Sequence, residues 1–201
     1  MKSSEWDSFW KEDNKLINFG RRIYNAYFKR VVLRYAGKED IVAELGCGGA
    51  TLARSICPKI KSYTGIDNSG SALDLALKNI KGINNAMLMR GDLLNFKNDT
   101  RQFDIVWSNG LLEHFNPSEP CLDAHWNLAR KYAIICVPWK YSYHYLWSKL
   151  GRLWPWEKDL KFFTNKELLA LAKTRTDNAR CLSLFNPVRW ILGNIIVVMK
   201  K

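Results

Sequence analysis

Acidic residues are scarce in this chain: 19 Asp and Glu stand against 31 Lys and Arg, a net charge of +12. That deficit disfavours cationic partners and suits anionic ones, such as nucleic acid, an acidic lipid headgroup, or a phosphorylated or carboxylated small molecule. A generally basic surface with no specific partner fits the charge equally well. Cysteines are few and odd in number (Cys47, Cys57, Cys121, Cys136, Cys181), widely spaced and without a C-x-x-C. The pattern excludes a disulfide framework and a zinc knuckle and predicts a reducing compartment. The chain also lacks any stretch of about 18 uncharged apolar residues, so no membrane-spanning helix is expected. The first residues, MKSSEWDSFWKEDNK, have no apolar signal core, and a cytoplasmic location is predicted. Hydrophobic residues are not scarce, at 47%, and aromatics reach 13% with nine Trp, which excludes disorder. A length of 201 residues suits a single α/β domain over residues 1–201.

Residues 1–36 read as a helical segment. Leu16, Phe19, Ile23, Tyr27, Val31 and Leu33 fall near a 3.6-residue period, and Gly37 ends it. Short apolar strands then alternate with helices. Strands are predicted at Ile41–Leu45, Ser62–Ile66, Ala86–Met89, Phe103–Trp107 and Tyr132–Val137. Helices are predicted at 49–57, 69–81 and 117–130, with start signals at Ser71/Asp74 and at Asn116-Pro117/Glu119. Residues 138–163 form an aromatic, basic insertion. A helix at 164–175 opens with a Thr164…Glu167 capping box, and strands at 179–185 and 194–200 close the chain. Repeated β-α units imply a mostly parallel, doubly wound sheet of seven strands, ending in an antiparallel hairpin.

Chemistry-bearing residues gather at the strand ends. The first strand runs into Glu44-Leu45-Gly46-Cys47-Gly48-Gly49-Ala50, where glycines let a ligand lie against the backbone. Asp67 ends the second strand roughly 20 residues later, where a carboxylate can accept both ribose hydroxyls. Asp92 and Leu93 follow the third strand, placed to meet an adenine amine and ring. An ordinary helix cap at Asp67 and a surface turn at Asp92 are the alternatives.

With these residues the sequence resembles the class I S-adenosylmethionine-dependent methyltransferases, in its type 11-like, small-molecule branch. Its ELGCGGA, GIDNS, GDLL and FDIVWSNGLLEHF segments look like that family's first four motifs in order. The resemblance covers about residues 40–140 and implies a Rossmann-like fold with S-adenosyl-L-methionine as cofactor. It implies that Glu44, Gly46 and Gly48 line the methionine part, Asp67 holds the ribose and Asn68 flanks the adenine. Asp92 and Leu93 would bind the adenine, and Asn109 would lie beside the sulfonium end. His114, in Leu112-Glu113-His114-Phe115, is the candidate base, or else a residue orienting the turn. His144 is a second base candidate, and His125 is expected to be structural or exposed. Ser108-Asn109-Gly110-Leu111 departs from the Asn/Asp-Pro-Pro-aromatic tetrad of enzymes acting on exocyclic amines of DNA bases, which lowers those substrates.

The predicted activity is methyl transfer to a small, apolar or anionic acceptor, with nucleic acid ranked lower because the basic residues form no dense tract. The insertion, with Trp139, Trp147, Trp154, Trp156, Tyr141, Tyr143 and Tyr145, suits a substrate lid, a peripheral contact with an anionic membrane, or cover for the sheet edge or a dimer partner. Trp6, Phe9 and Trp10 are placed to close over the cofactor or to pack as an ordinary helix. A nucleotide-dependent oxidoreductase shares Gly46-x-Gly48 and Asp67, but Thr51 stands where its fingerprint wants a third Gly or Ala. A non-catalytic, cofactor-binding or membrane-associated adaptor of the same fold is a further alternative.

Overall fold

The structure is a computed structural model that describes residues 15–95, 102–149, 160–183 and 193–201. Trp6, Phe9, Trp10, Trp154 and Trp156 lie outside the described residues, as do the side chains of Leu16, Phe19, Ile23, His144 and Trp147. The strands are β1 (Ile41–Leu45), β2 (Ser62–Asp67), β3 (Ala86–Arg90), β4 (Phe103–Asn109), β5 (Ala129–Pro138), β6 (Ala179–Ser183) and β7 (Asn194–Lys200). The helices are α1 (Lys15–Tyr35), α2 (Ala53–Ile56), α3 (Gly70–Ile80), α4 (Glu119–Leu128), α5 (Tyr143–Lys149) and α6 (Asn165–Lys173). One seven-stranded sheet runs in the order β3-β2-β1-β4-β5-β7-β6. All neighbours are parallel except β7, which is antiparallel to both β5 and β6. The doubly wound sheet with its reversed hairpin strand is the one the sequence predicts.

The central strands are apolar on both sides because helices cover both faces. Val42, Tyr63, Ile105, Trp107, Ile134 and Ile196 pack beneath Phe28 and Val32 of α1, with α2 and α3 alongside. Ala43, Leu45, Ile66, Val106, Ile135 and Val197 meet Leu122 and Leu128 of α4 and Leu168 of α6. Phe28 stacks on the fully buried Trp107, ring centroids 5.1 Å apart. The α1 stripe is shifted from the predicted one: Val31 is buried as expected and Phe28 and Val32 are completely buried, whereas Tyr27 and Leu33 only border the core.

Several boundaries differ from the sequence reading. The helix expected at 49–57 shrinks to Ala53–Ile56, then tightens into a 3₁₀ turn at Cys57–Lys59. The glycine loop occupies its first turn, and Pro58, which has no N–H to give, closes its end. Ser69, rather than Ser71, caps α3 by accepting the Ala72 N–H at 3.1 Å. The helix expected from 117 starts at Glu119, and β5 begins at Ala129 rather than Tyr132 because α4 ends at Leu128 and feeds directly into the strand. The Thr164/Glu167 capping box is present on both sides. No helix among the described residues is long and apolar enough to cross a membrane.

Candidate functional site

The sheet order reverses between β1 and β4, the position where open α/β sheets leave a crevice beyond their carboxyl ends. The loop leaving β1 enters that crevice with three residues in the left-handed region: Gly46 at φ 64°, Gly48 at φ 50° and Ala50 at φ 49°. At Gly46 a side chain would be strained, and its Cβ would lie 2.7 Å from Leu111 Cδ1. Four hydrogen bonds set the loop. Cys47 N donates to the Ile66 carbonyl at 3.1 Å and Ala50 N to the Cys47 carbonyl at 2.8 Å. Asn79 Nδ2, from α3, donates to the Gly49 carbonyl at 2.7 Å. Gly48 N donates to Asp67 Oδ2 at 2.8 Å.

Asp67 is the hub. Its Oδ1 accepts the Ser69 N–H at 2.9 Å, at the start of α3, while Oδ2 holds Gly48. Its own carbonyl accepts Gly91 N at 3.0 Å, at the exit of β3. One residue therefore ties three strand ends together and holds a half-buried carboxylate in a fixed orientation at the sheet edge.

Glu44 lies beneath this loop, not within its open surface. It is 6% exposed, and the Tyr63 hydroxyl donates to its Oε2. Burial pushes the Glu44 carboxyl up to about 8; the nearby Asp67 charge adds to the rise and the Tyr63 bond opposes it. Glu44 is accordingly protonated at neutral pH. Gly65, paired with Glu44 in register, makes the Tyr63 contact possible. A Cβ there would lie 2.9 Å from Leu88 Cδ2, 3.0 Å from Cys47 Sγ and 3.1 Å from the Tyr63 hydroxyl. Burial, with the charges of Glu44 and Asp67, raises the Cys47 thiol far above its usual range, which rules it out as a nucleophile. Tyr63→Phe removes one bond from a buried carboxyl while keeping the ring. It is expected to cost about 1–3 kcal/mol of stability and to raise the Glu44 carboxyl further; urea denaturation at several pH values reads both.

The other predicted residues surround this hub. Asn68 follows Asp67 and is half-buried. Asp92 is exposed and turns the chain by accepting Leu94 N at 3.0 Å, while Leu93 is buried in the core with Ile66. Asn109, at the end of β4, donates from Nδ2 to Asn25 Oδ1 at 3.3 Å, which brings α1 to the site edge. His114 closes the 3₁₀ turn Leu112–His114, half-buried, with its N–H given to the Leu111 carbonyl at 3.1 Å. The structure thus joins Glu44, Gly46, Gly48 and Asp67 into one unit and arrays Asn68, Asp92, Leu93 and Asn109 along the same edge. His125 is fully buried; its Nδ1 donates to the Cys121 carbonyl at 2.7 Å, and burial lowers its pKa to about 4. It is a neutral structural residue.

Sequence reasoning passed over three residues. Tyr63 was readable only as a strand position, although a large aromatic two residues before a glycine was the available signal. Asn25 shares a helical face with Phe28 and Val32 and needed the correct α1 stripe to be noticed. Glu113 is 5% exposed, its Oε2 has no hydrogen-bond partner among the described residues, and burial pushes its carboxyl up to about 8. An acid enclosed by Leu111, Leu112 and Phe115 was its signal.

Comparison with known proteins fits this geometry. Residues 42–130 match the family described as Methyltransferase domain. A search of curated proteins returned no match. Among solved structures, the chain is similar to the DhpI–SAH complex at 15% identity and TM-score 0.71, covering 98% of this chain and 93% of that one. It is similar to magnesium protoporphyrin IX methyltransferase from Synechocystis PCC 6803 with bound SAH, at 16% identity and TM-score 0.69, covering 94% and 89%. The cyclase SpnF aligns at 12% identity and TM-score 0.70, covering 87% and 80%, so the fold alone does not choose the reaction. The sheet also differs from the usual dehydrogenase order 3-2-1-4-5-6, since a reversed β7 is inserted between β5 and β6. Residues 42–130 thus match the methyltransferase-domain family, and the chain has the class I, Rossmann-like methyltransferase fold.

Proposed function

We propose that the chain transfers a methyl group from S-adenosylmethionine to a small apolar or anionic acceptor. The observation that carries this reading is the Asp67 carboxylate, locked by Gly48 N and Ser69 N at the switch point of the sheet. When bound, the cofactor supplies a methyl group already activated on a sulfonium. The chain's contribution is to bind, to align and to exclude water. Asp67 is assigned to the ribose hydroxyls, with Asn68 flanking the adenine and Asp92 and Leu93 holding its amine and ring. The backbone of Gly46 and Gly48 lies along the methionine part, with Glu44 supporting the loop from below. Asn109 stands at the sulfonium end, held by Asn25. His114 is assigned as the base for acceptors that must lose a proton.

All five cysteines are free thiols and four are buried, which supports a reducing, cytoplasmic setting. Calorimetric titration with S-adenosylhomocysteine tests the reading, with NAD as the parallel ligand. Saturable binding of the former alone is expected. No heat at high micromolar ligand, or preference for NAD, would overturn it.

A further inference from the structure

Five large hydrophobic side chains are strongly exposed among the described residues, and three fall within six positions: Tyr141 at 58%, Tyr143 at 45% and Leu146 at 51%. Such clustering is unlike the single exposed apolar residues of ordinary surfaces. The segment follows β5, so it stands at the carboxyl edge of the sheet that carries the candidate site.

The patch is held firmly. Lys140 N donates to the Phe163 carbonyl at 2.9 Å, and Phe163 N returns to the Pro138 carbonyl at 3.1 Å. The Ser142 hydroxyl donates to the Trp139 carbonyl at 2.7 Å and accepts Tyr145 N at 3.2 Å, which starts α5. On α5, Tyr143 and Leu146 are three residues apart and share a face. Residues 139–149 contain two lysines and no acid. Lys149 is exposed, with Nζ 5.6 Å from the Tyr145 ring centroid. Lys140 pairs with Glu167 at 3.4 Å, an exposed contact that leaves the lysine accessible.

We propose that the surface formed by Tyr141, Tyr143 and Leu146, flanked by Lys140 and Lys149, docks peripherally on an anionic lipid bilayer. Tyrosine and leucine suit the headgroup–acyl boundary, and the lysines meet acidic headgroups, reinforced by the net charge of +12. A second copy of the chain suits the patch less well, because a two-fold interface would set the same lysines against each other. Docking here turns the sheet's carboxyl edge toward the bilayer. An amphipathic acceptor would then reach the site from the interface instead of from bulk water.

The test is flotation of the full chain with phosphatidylcholine vesicles, with and without phosphatidylserine, at low and high salt. The expected result is binding to the phosphatidylserine vesicles only, weakened by salt. The double variant Tyr143→Ser/Leu146→Ser is expected to lose partitioning by about tenfold or more. Both positions are exposed, so its melting temperature and its affinity for S-adenosylhomocysteine should match the parent. The inference is overturned if the parent ignores phosphatidylserine, if the variant binds equally, or if size-exclusion shows a dimer that the variant dissolves. Vesicle binding and S-adenosylhomocysteine binding are read separately, so failure of the docking surface is distinguishable from failure of the methyl-transfer reading.

Discussion

Asp67→Ala is expected to weaken S-adenosylhomocysteine binding by about a hundredfold, the loss of two charged hydrogen bonds at roughly 1.5 kcal/mol each. The effect has two parts. Alanine removes the acceptors assigned to the ribose, and it also releases Gly48 N and Ser69 N, now held at 2.8 and 2.9 Å. Asp67→Asn tests the acceptors with the side-chain shape retained. Its amide oxygen can accept one of those two N–H groups, but its NH₂ is a donor and must face the other. The asparagine variant should therefore fall close to alanine in affinity, although it is nearly isosteric with aspartate. Calorimetric titration of both variants checks this. An Asp67→Asn protein that binds like the parent would show that the carboxylate does not organise the loop.

Stability should decline as pH rises from about 4.5 to about 8, and Glu113→Gln should reduce that decline. Glu113 and Glu44 both have folded-state values near 8 against the usual 4.5. A raised carboxyl keeps its proton in the folded chain after the unfolded chain has lost it. The associated stability is complete below about 4.5 and is lost as pH rises toward about 8. Each such group contributes a slope of ~1.4 kcal/mol per pH unit within its window. His125 acts in the opposite sense, because its folded value of about 4 lies below the usual 6.5 and its stability is lost as pH falls through that range. Between 4.5 and 6.5 the histidine offsets one glutamate; from 6.5 to about 8 neither glutamate is opposed. The steepest loss is expected in the upper window. Glu113→Gln should roughly halve the slope there while leaving stability near pH 4 little changed. Urea denaturation across the range reads the slopes, and parallel curves for parent and variant would show that Glu113 is ionised in the folded chain.

Both results turn on residues that the sequence reveals to different degrees. Asp67 is legible because its identity, its place at a strand end and its distance from the glycines are all local in the chain. Glu44 is legible as a site residue, but its protonation is not. That depends on Tyr63, one strand away, and on a glycine at 65 that lets the phenol pass. Glu113 is harder still. Beside His114 it reads as one half of a signature, and only the packing of the turn after β4 shows that the acid is the buried member.

The sequence by itself determined the β-α alternation, the glycine loop, the acidic strand ends and the capping box of α6. Each is written in residues a few positions apart, where backbone sterics and periodicity act directly. Tertiary structure alone decided the insertion of β7 between β5 and β6, the Asn25–Asn109 contact, and the burial of Glu44, Glu113 and His125. Strand order, long-range hydrogen bonds and desolvation depend on which distant segments meet, and no local pattern encodes the dielectric around a carboxyl group.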